Sequence, residues 1–268
     1  MCRWAAYLGS PIFLEDVICR PGHSLVAQSQ EAAECKTRTN GDGFGVAWYD
    51  TRAEPGLYRD VYPAWSDTNL RALAHQVRSG LFLSHVRAST GSAISRNNCH
   101  PFAAGRWSFM HNGQVGGFDS FRRHGDMCIP DQLYQHRKGA TDSEVLFLLA
   151  LNEGLDRGPL AAMERAVAKM EALSRARGTT PHMRLSAAFS DGERLYAARY
   201  SSDYIAPSLY YRWSTSHQGW AVVSEPLEQN QQGWNELPAG GFLTLSQDEV
   251  LVERFEPARQ RVTPDCAG

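Results

Sequence analysis

Hydrophobic and polar positions along the chain alternate in short runs over the first 115 or so residues, then lengthen, then shorten again. Trp4–Leu8, Gly43–Tyr49, Leu81–Arg87 and Trp107–His111 are apolar, carry β-branched or aromatic residues and end at Gly, Asn or Asp, which predicts strands. Asn69–Val77 is predicted as a short helix. In the middle, Thr141-Asp142-Ser143-Glu144 precedes an apolar run, placing an N-cap at Thr141 with an acidic residue three positions on. Leu160, Met163, Val167, Met170 and Leu173 then recur at spacings of three and four, one stripe of a helix packed on a core, with Glu164, Arg165, Lys169 and Glu171 assigned to the opposite face. Strand patterning returns at Met183–Phe189, Arg194–Tyr200, Leu209–Trp213, Trp220–Val223, Phe242–Leu245 and Val250–Phe255, with Asp191-Gly192 as a hairpin turn between the first two. Strands, two adjacent helices and more strands predict an α+β protein with sheets covered by helices rather than alternating βαβ units.

Composition narrows the function without choosing it. The 268 residues are 43% hydrophobic and 21% charged, with a net charge of -2, so nothing matches the charge of a nucleic acid. The longest apolar runs, such as Val145–Leu151, are too short to span a bilayer. Arg3 interrupts the only apolar run at the N-terminus, so no signal peptide is read there and the expected location is cytoplasmic. Of six cysteines no pair has CxxC spacing, so free thiols are expected rather than three disulfides, and no structural metal or cofactor is implied.

Four features carry candidate chemistry, and each also has an ordinary structural explanation. Removal of Met1 would leave Cys2 with a thiol and a free α-amine, a nucleophile and a base on one residue. Arg87 closes a strand and precedes small hydroxyl residues, a place for a guanidinium to clamp a carboxylate, or simply a surface ion pair. Asn112-Gly113 is a turn signal, but an Asn amide beside a Gly N–H also supplies the two donors that a developing oxyanion needs. Asp142 caps a helix or pairs with a substrate ammonium. Together the four describe a site for an amino acid with a side-chain amide.

The ordered set Met1-Cys2-Arg3, Asn40-Gly41-Asp42-Gly43-Phe44-Gly45, Ser84-His85-Val86-Arg87-Ala88-Ser89-Thr90, Asn98-Cys99-His100-Pro101-Phe102, His111-Asn112-Gly113, Thr141-Asp142-Ser143-Glu144 and Ser224-Glu225-Pro226-Leu227 resembles the class II glutamine amidotransferases. The likeness is to their stand-alone YafJ-like branch, which includes γ-glutamyl hydrolases of ergothioneine synthesis and glutathione breakdown. It implies a four-layer αββα sandwich of N-terminal nucleophile hydrolase type, with residues 1–268 forming a single domain. By the same resemblance Cys2 is the nucleophile, and Asn112 with the Gly113 N–H forms the oxyanion hole. Arg87 holds the substrate α-carboxylate with Thr90 nearby, Asp142 holds the α-ammonium, and Gly43 and His100 are structural.

The implied reaction cleaves the γ-amide of a γ-glutamyl compound or of glutamine through a Cys2 thioester, releasing glutamate and an amine or ammonia. The residues after Asp142 are expected to be used by the second run of strands, leaving no room for a synthase. An ammonia-delivering glutaminase would then need a separate synthase or peptidase partner. A third reading, an inactive relative that binds γ-glutamyl ligands or scaffolds a partner, conflicts with retention of all the site residues. Tyr204, Tyr210, Tyr211 and Trp213 are candidates to line a wide leaving-group side, although half-buried strands use such residues anyway.

Overall fold

The computed structural model describes residues 2–34, 39–89, 93–228 and 230–258. In chain order the strands are β1 (Arg3–Phe13), β2 (Phe44–Tyr49), β3 (Gly56–Asp60), β4 (Arg78–Val86), β5 (Phe102–Ala104), β6 (Trp107–Val115) and β7 (Met183–Ser190). They continue as β8 (Leu195–Ser201), β9 (Tyr210–Ser214), β10 (Gly219–Val223), β11 (Asn235–Glu236), β12 (Gly241–Leu245) and β13 (Val250–Arg254). The helices are α1 (Glu15–Ile18), α2 (Leu25–Gln30), α3 (Thr68–Gln76), α4 (Phe118–Met127), α5 (Asp131–Tyr134), α6 (Asp142–Asn152) and α7 (Pro159–Arg177).

Among the described residues the strands form two antiparallel sheets, ordered β11-β9-β10-β1-β4-β2-β3 and β13-β12-β8-β7-β6-β5. Three apolar clusters separate four layers. Ala5, Tyr7, Phe44, Val46 and Phe82 on the outer face of the first sheet pack on α1, α2 and α3. Trp4, Ala6, Leu83, Met110, Ala188, Val222 and Leu243 fill the space between the sheets. Phe109, Leu185, Phe189 and Phe242 on the outer face of the second sheet pack on α4, α6 and α7. This is the expected αββα sandwich. Because both faces of the first sheet are covered at β1, that strand reads as a continuous apolar run with no polar alternation from Trp4 to Leu8.

The long patterns match the structure best. Thr141 caps α6, its Oγ1 accepting from the Glu144 N–H at 3.2 Å. Glu144 does not complete the cap. Its carboxylate instead takes the N–H groups of Lys138 and Gly139 and pairs with Arg137 at 2.7 Å, bracing the loop that leads into Asp142. Met163, Val167, Met170 and Leu173 are buried on α7 as the stripe predicts. Glu171, assigned to the solvent face, is buried; it pairs with Arg175 and accepts from the Tyr200 hydroxyl at 3.0 Å. Gly192 takes the left-handed conformation, φ 91°, in the β7–β8 hairpin.

A second reading is corrected. Asn112-Gly113 is not a turn after a strand ending at His111. Both residues lie inside β6, paired with Ser186 and Leu185 of β7. The turn preference of Asn-Gly is overridden by a full set of ladder partners on β7.

Candidate active site

Strand alternation gathers the candidates at one end of the sandwich. On β1, Trp4, Ala6 and Leu8 face the second sheet, so Cys2 at its start lies on that side too. On β4, Leu81 and Leu83 face inward, and His85 and Arg87 continue that row. On β6 the inward row is Met110 then Asn112. Register aligns the rows. Trp4 pairs with His85 across β1 and β4, and the Trp4 indole donates across the layers to the Ser186 carbonyl at 3.2 Å, Ser186 being the β7 partner of Asn112. Three residues remote in sequence therefore share the mouth of the inter-sheet space.

The Cys2 thiol rests on the Ala88 backbone, 3.4 Å from the nitrogen and 3.6 Å from the carbonyl oxygen. Arg87 is only 3% exposed. Its guanidinium donates to the Asp42 carbonyl (3.4 Å), the Ser89 hydroxyl (3.2 Å) and the Ala93 carbonyl (3.4 Å). Asp42 is the hub of this turn. Its carboxylate accepts from the Ser89 N–H at 2.7 Å, its N–H donates to the Arg87 carbonyl, and the Arg87 N–H donates to Gly43. Gly43 has φ 115°, and a Cβ there would stand 2.6 Å from the Cys99 sulfur, which accounts for glycine at that position. Sequence reasoning assigned Asp42 no role, because only the fold brings residue 42 to residue 89.

Asn112 is fully buried, yet neither its Nδ2 nor its Oδ1 has a partner among the described residues. A buried primary amide without hydrogen bonds is costly and marks a place where a ligand atom belongs. Gly113 follows with no space for a side chain, since a Cβ would lie 1.8 Å from the Arg184 carbonyl oxygen. β5 pairs with β6 only as far as Phe109, so beyond that point the β6 edge has no strand neighbour among the described residues.

Asp142 opens α6 and is partly exposed. Its carboxylate accepts from the Val115 N–H at 2.7 Å and from the N–H (2.8 Å) and hydroxyl (3.2 Å) of Ser143. These bonds couple the helix start to the strand end that carries Asn112 and Gly113, and leave acceptor capacity for one more donor. A cleft of about 440 Å³ opens beside it, lined among others by Gln114, Gly116, Thr141 and Thr179. Thr90 lies outside the described residues.

A buried histidine cluster underlies the site. His85 and His100 have ring centroids 4.3 Å apart, and His111 is held by the Ser143 hydroxyl (2.9 Å) and the Arg184 carbonyl (3.1 Å). Burial pushes His85 down to about 3, assisted by the neighbouring Arg87 charge, and holds His100 and His111 below the ordinary range. Neutral histidines leave Arg87 and Arg59 as cations beside this cluster. Burial pushes the Cys99 thiol up to about 11. Of the expected aromatics, Tyr210, Tyr211 and Trp213 sit on β9, where Tyr211 and Trp213 pack on Trp220 although Trp213 stays exposed; Tyr204 is the most fully displayed, on the loop between β8 and β9. No helix among the described residues is long and apolar enough to cross a membrane.

The chain is similar to the probable glutamine amidotransferase DUG3 of Saccharomyces cerevisiae, 31% identical over 94% of this chain and 84% of that protein. It is also similar to the γ-glutamyl-hercynylcysteine sulfoxide hydrolase of Mycolicibacterium smegmatis, 27% identical over 94% of this chain and 99% of that protein. A solved glutamine aminotransferase class-II domain protein from Silicibacter pomeroyi shares 59% identity, with a TM-score of 0.78, over 96% of this chain and all of that one. Residues 18–211 match the family described as glutamine amidotransferases class-II. With a cysteine, an arginine and an asparagine amide that has no partner among the described residues brought to one end of the space between two sheets, and with these relatives, the chain belongs to the class II glutamine amidotransferases.

Proposed function

We propose that this enzyme is a stand-alone hydrolase of γ-glutamyl amides, residues 1–268 acting as one domain, and that it uses Cys2, once Met1 is removed, as an N-terminal nucleophile. The observation that carries the reading is the convergence of the Cys2 thiol, the buried Arg87 guanidinium and the unpartnered Asn112 amide at one end of the inter-sheet space. The α-amine of Cys2 takes the thiol proton, and the thiolate attacks the γ-carbonyl carbon. The carbonyl oxygen gains the negative charge and is received by Asn112 Nδ2 and the Gly113 N–H, donors of a kind worth about 2.7–4 kcal/mol each. Collapse expels the amine with a proton from the N-terminus and leaves a γ-glutamyl thioester. Water, deprotonated by the same amine, adds to the thioester, and glutamate leaves as Sγ regains its proton. Arg87 binds the α-carboxylate, with Thr90 beside it, and Asp142 the α-ammonium, so the γ-glutamyl half of the substrate is common and the leaving group varies.

The hydrolase named among the relatives supports a leaving group larger than ammonia, and the displayed Tyr204 offers it an apolar surface. Purified protein lacking Met1, incubated with glutamine, glutathione and other γ-glutamyl amides, is expected to release glutamate from a γ-glutamyl peptide or amide with a higher kcat/KM than from glutamine. Binding energy from the remote part of a true substrate then appears in the transition state. If glutamine turns over best, and only when a second protein is added, the chain is instead the ammonia-delivering subunit of a synthase.

A further inference from the structure

The face of β1 opposite the nucleophile carries a buried ion pair that the chemistry above does not use. Arg3 points away from the inter-sheet space and is 0% exposed. Its Nε lies 2.8 Å from Glu225 Oε2, and a terminal nitrogen donates to the Glu34 carbonyl. Glu225 is itself buried, and every other contact of its carboxylate is a donor. Oε1 faces His23 Nε2 at 2.6 Å and accepts from the Ala33 N–H at 2.8 Å; Oε2 accepts from the Glu34 N–H at 3.0 Å. Burial opposes its charge, but His23, the two N–H groups and Arg3 outweigh that and hold the carboxyl below its ordinary range. One residue earlier, Ser224 Oγ accepts from the Trp4 N–H at 2.9 Å, and the Ser224 N–H donates to the Trp4 carbonyl.

A buried ion pair is a poor device for stability alone, because desolvation cancels much of its Coulombic gain and apolar residues of the same volume serve as well. It is a good device for fixing position. Chain termini fray unless tied down, and after loss of Met1 nothing precedes Cys2 to hold it. A one-residue slip of β1 would turn Cys2 out of the inter-sheet space and Arg3 into it. The Arg3–Glu225 pair on one face, with the Trp4 indole on the other, forbids that slip.

We infer that Glu225, acting through Arg3 and steadied by His23, is a positioning residue that sets the Cys2 thiol and α-amine against Asn112 and Arg87 without touching substrate. The inference rests on Cys2 being the nucleophile. Glu225→Gln keeps the shape and removes the charge. It is expected to lower kcat by about tenfold or more, as small misplacements of a reacting group do, while KM stays within about twofold. Labelling of Cys2 by diazo-oxo-norleucine, which needs the whole site, should slow in parallel. Labelling of Cys2 by iodoacetamide, which needs only the thiolate, should not. Glu225→Asp should recover part of the lost kcat. A lower Tm with kcat and diazo-oxo-norleucine labelling at wild-type levels, measured well below that Tm, would show the pair to be structural only and overturn the inference. Should Glu225→Gln not fold, His23→Gln at the solvent side of the network carries the same test, with a kcat loss of about threefold expected and an unchanged kcat overturning the inference. Wild-type protein that is not labelled at Cys2 would instead refute the nucleophile itself.

Discussion

The Cys2 sulfur and the backbone of Ala88 are in direct contact, at 3.4 Å to the nitrogen and 3.6 Å to the carbonyl oxygen. Ala88 follows Arg87, so the proposed nucleophile and the proposed carboxylate clamp are held by one short stretch of chain. That stretch is fixed in turn by Asp42.

In the proposed mechanism Cys2 is the reactive thiol. Cys99 is buried and its thiol is pushed up to about 11, which suppresses the thiolate that alkylation requires. Diazo-oxo-norleucine should therefore label Cys2 and not Cys99, and Cys2→Ala should abolish turnover with the fold intact. Intact-mass analysis of active protein should show loss of Met1. Full activity in protein that retains Met1 would contradict the amine as base.

Asn112 separates activity from stability. Its amide makes no hydrogen bond among the described residues, so the near-isosteric Asn112→Leu should leave Tm unchanged or raised. It should still lower kcat by about 10²–10³, the usual effect of deleting an oxyanion donor. Gly113→Ala should lose both, since its Cβ would meet the Arg184 carbonyl at 1.8 Å. Steady-state kinetics beside thermal melts of both variants check the contrast.

Arg87→Lys keeps the charge and loses the planar fork, so KM for any γ-glutamyl substrate should rise by about tenfold or more. Asp42→Ala should raise KM in the same direction without touching substrate, because the Ser89 N–H loses its acceptor. Asp142→Asn should raise KM and also lower kcat, since Asp142 anchors Val115 just beyond the proposed oxyanion residues. An unchanged kcat/KM in all three would refute the clamp.

Acid should weaken the fold in two stages. His85, His100 and His111 are depressed by burial, so the unfolded chain binds their protons first. Their contribution is complete above the unfolded value of about 6.5 and drains away as pH falls toward the folded values, about 3 for His85. Glu225, also depressed, adds a second loss once pH falls below the ordinary carboxylate range. Tm should fall steadily between about pH 6.5 and pH 5, and His100→Gln should flatten that slope. A flat profile across this window would exclude the histidine contribution.

Much of the fold was legible because local patterns carry it. The Thr141 cap, the α7 stripe, the Asp191-Gly192 hairpin and ten of the strands are visible as runs and spacings. The short strands β3, β5 and β11 and the polar helix α4 were not, since pairing and packing rather than composition form them.

For the site, the sequence by itself determined the kinds of group: a thiol at position 2, a guanidinium at 87, an amide and a glycine at 112 and 113, a carboxylate at 142. Their family order comes from the same source. Only the tertiary structure decided that Asn112-Gly113 is strand and not turn, that Asp42 braces Arg87, that Glu171 is buried, and that Arg3 is locked to Glu225. The physical reason is common to all four. Each depends on which residues the sheets bring opposite one another, and those partners lie between 29 and 222 positions away, beyond any local period; Glu171 and Tyr200 are the nearest pair and Arg3 and Glu225 the most distant.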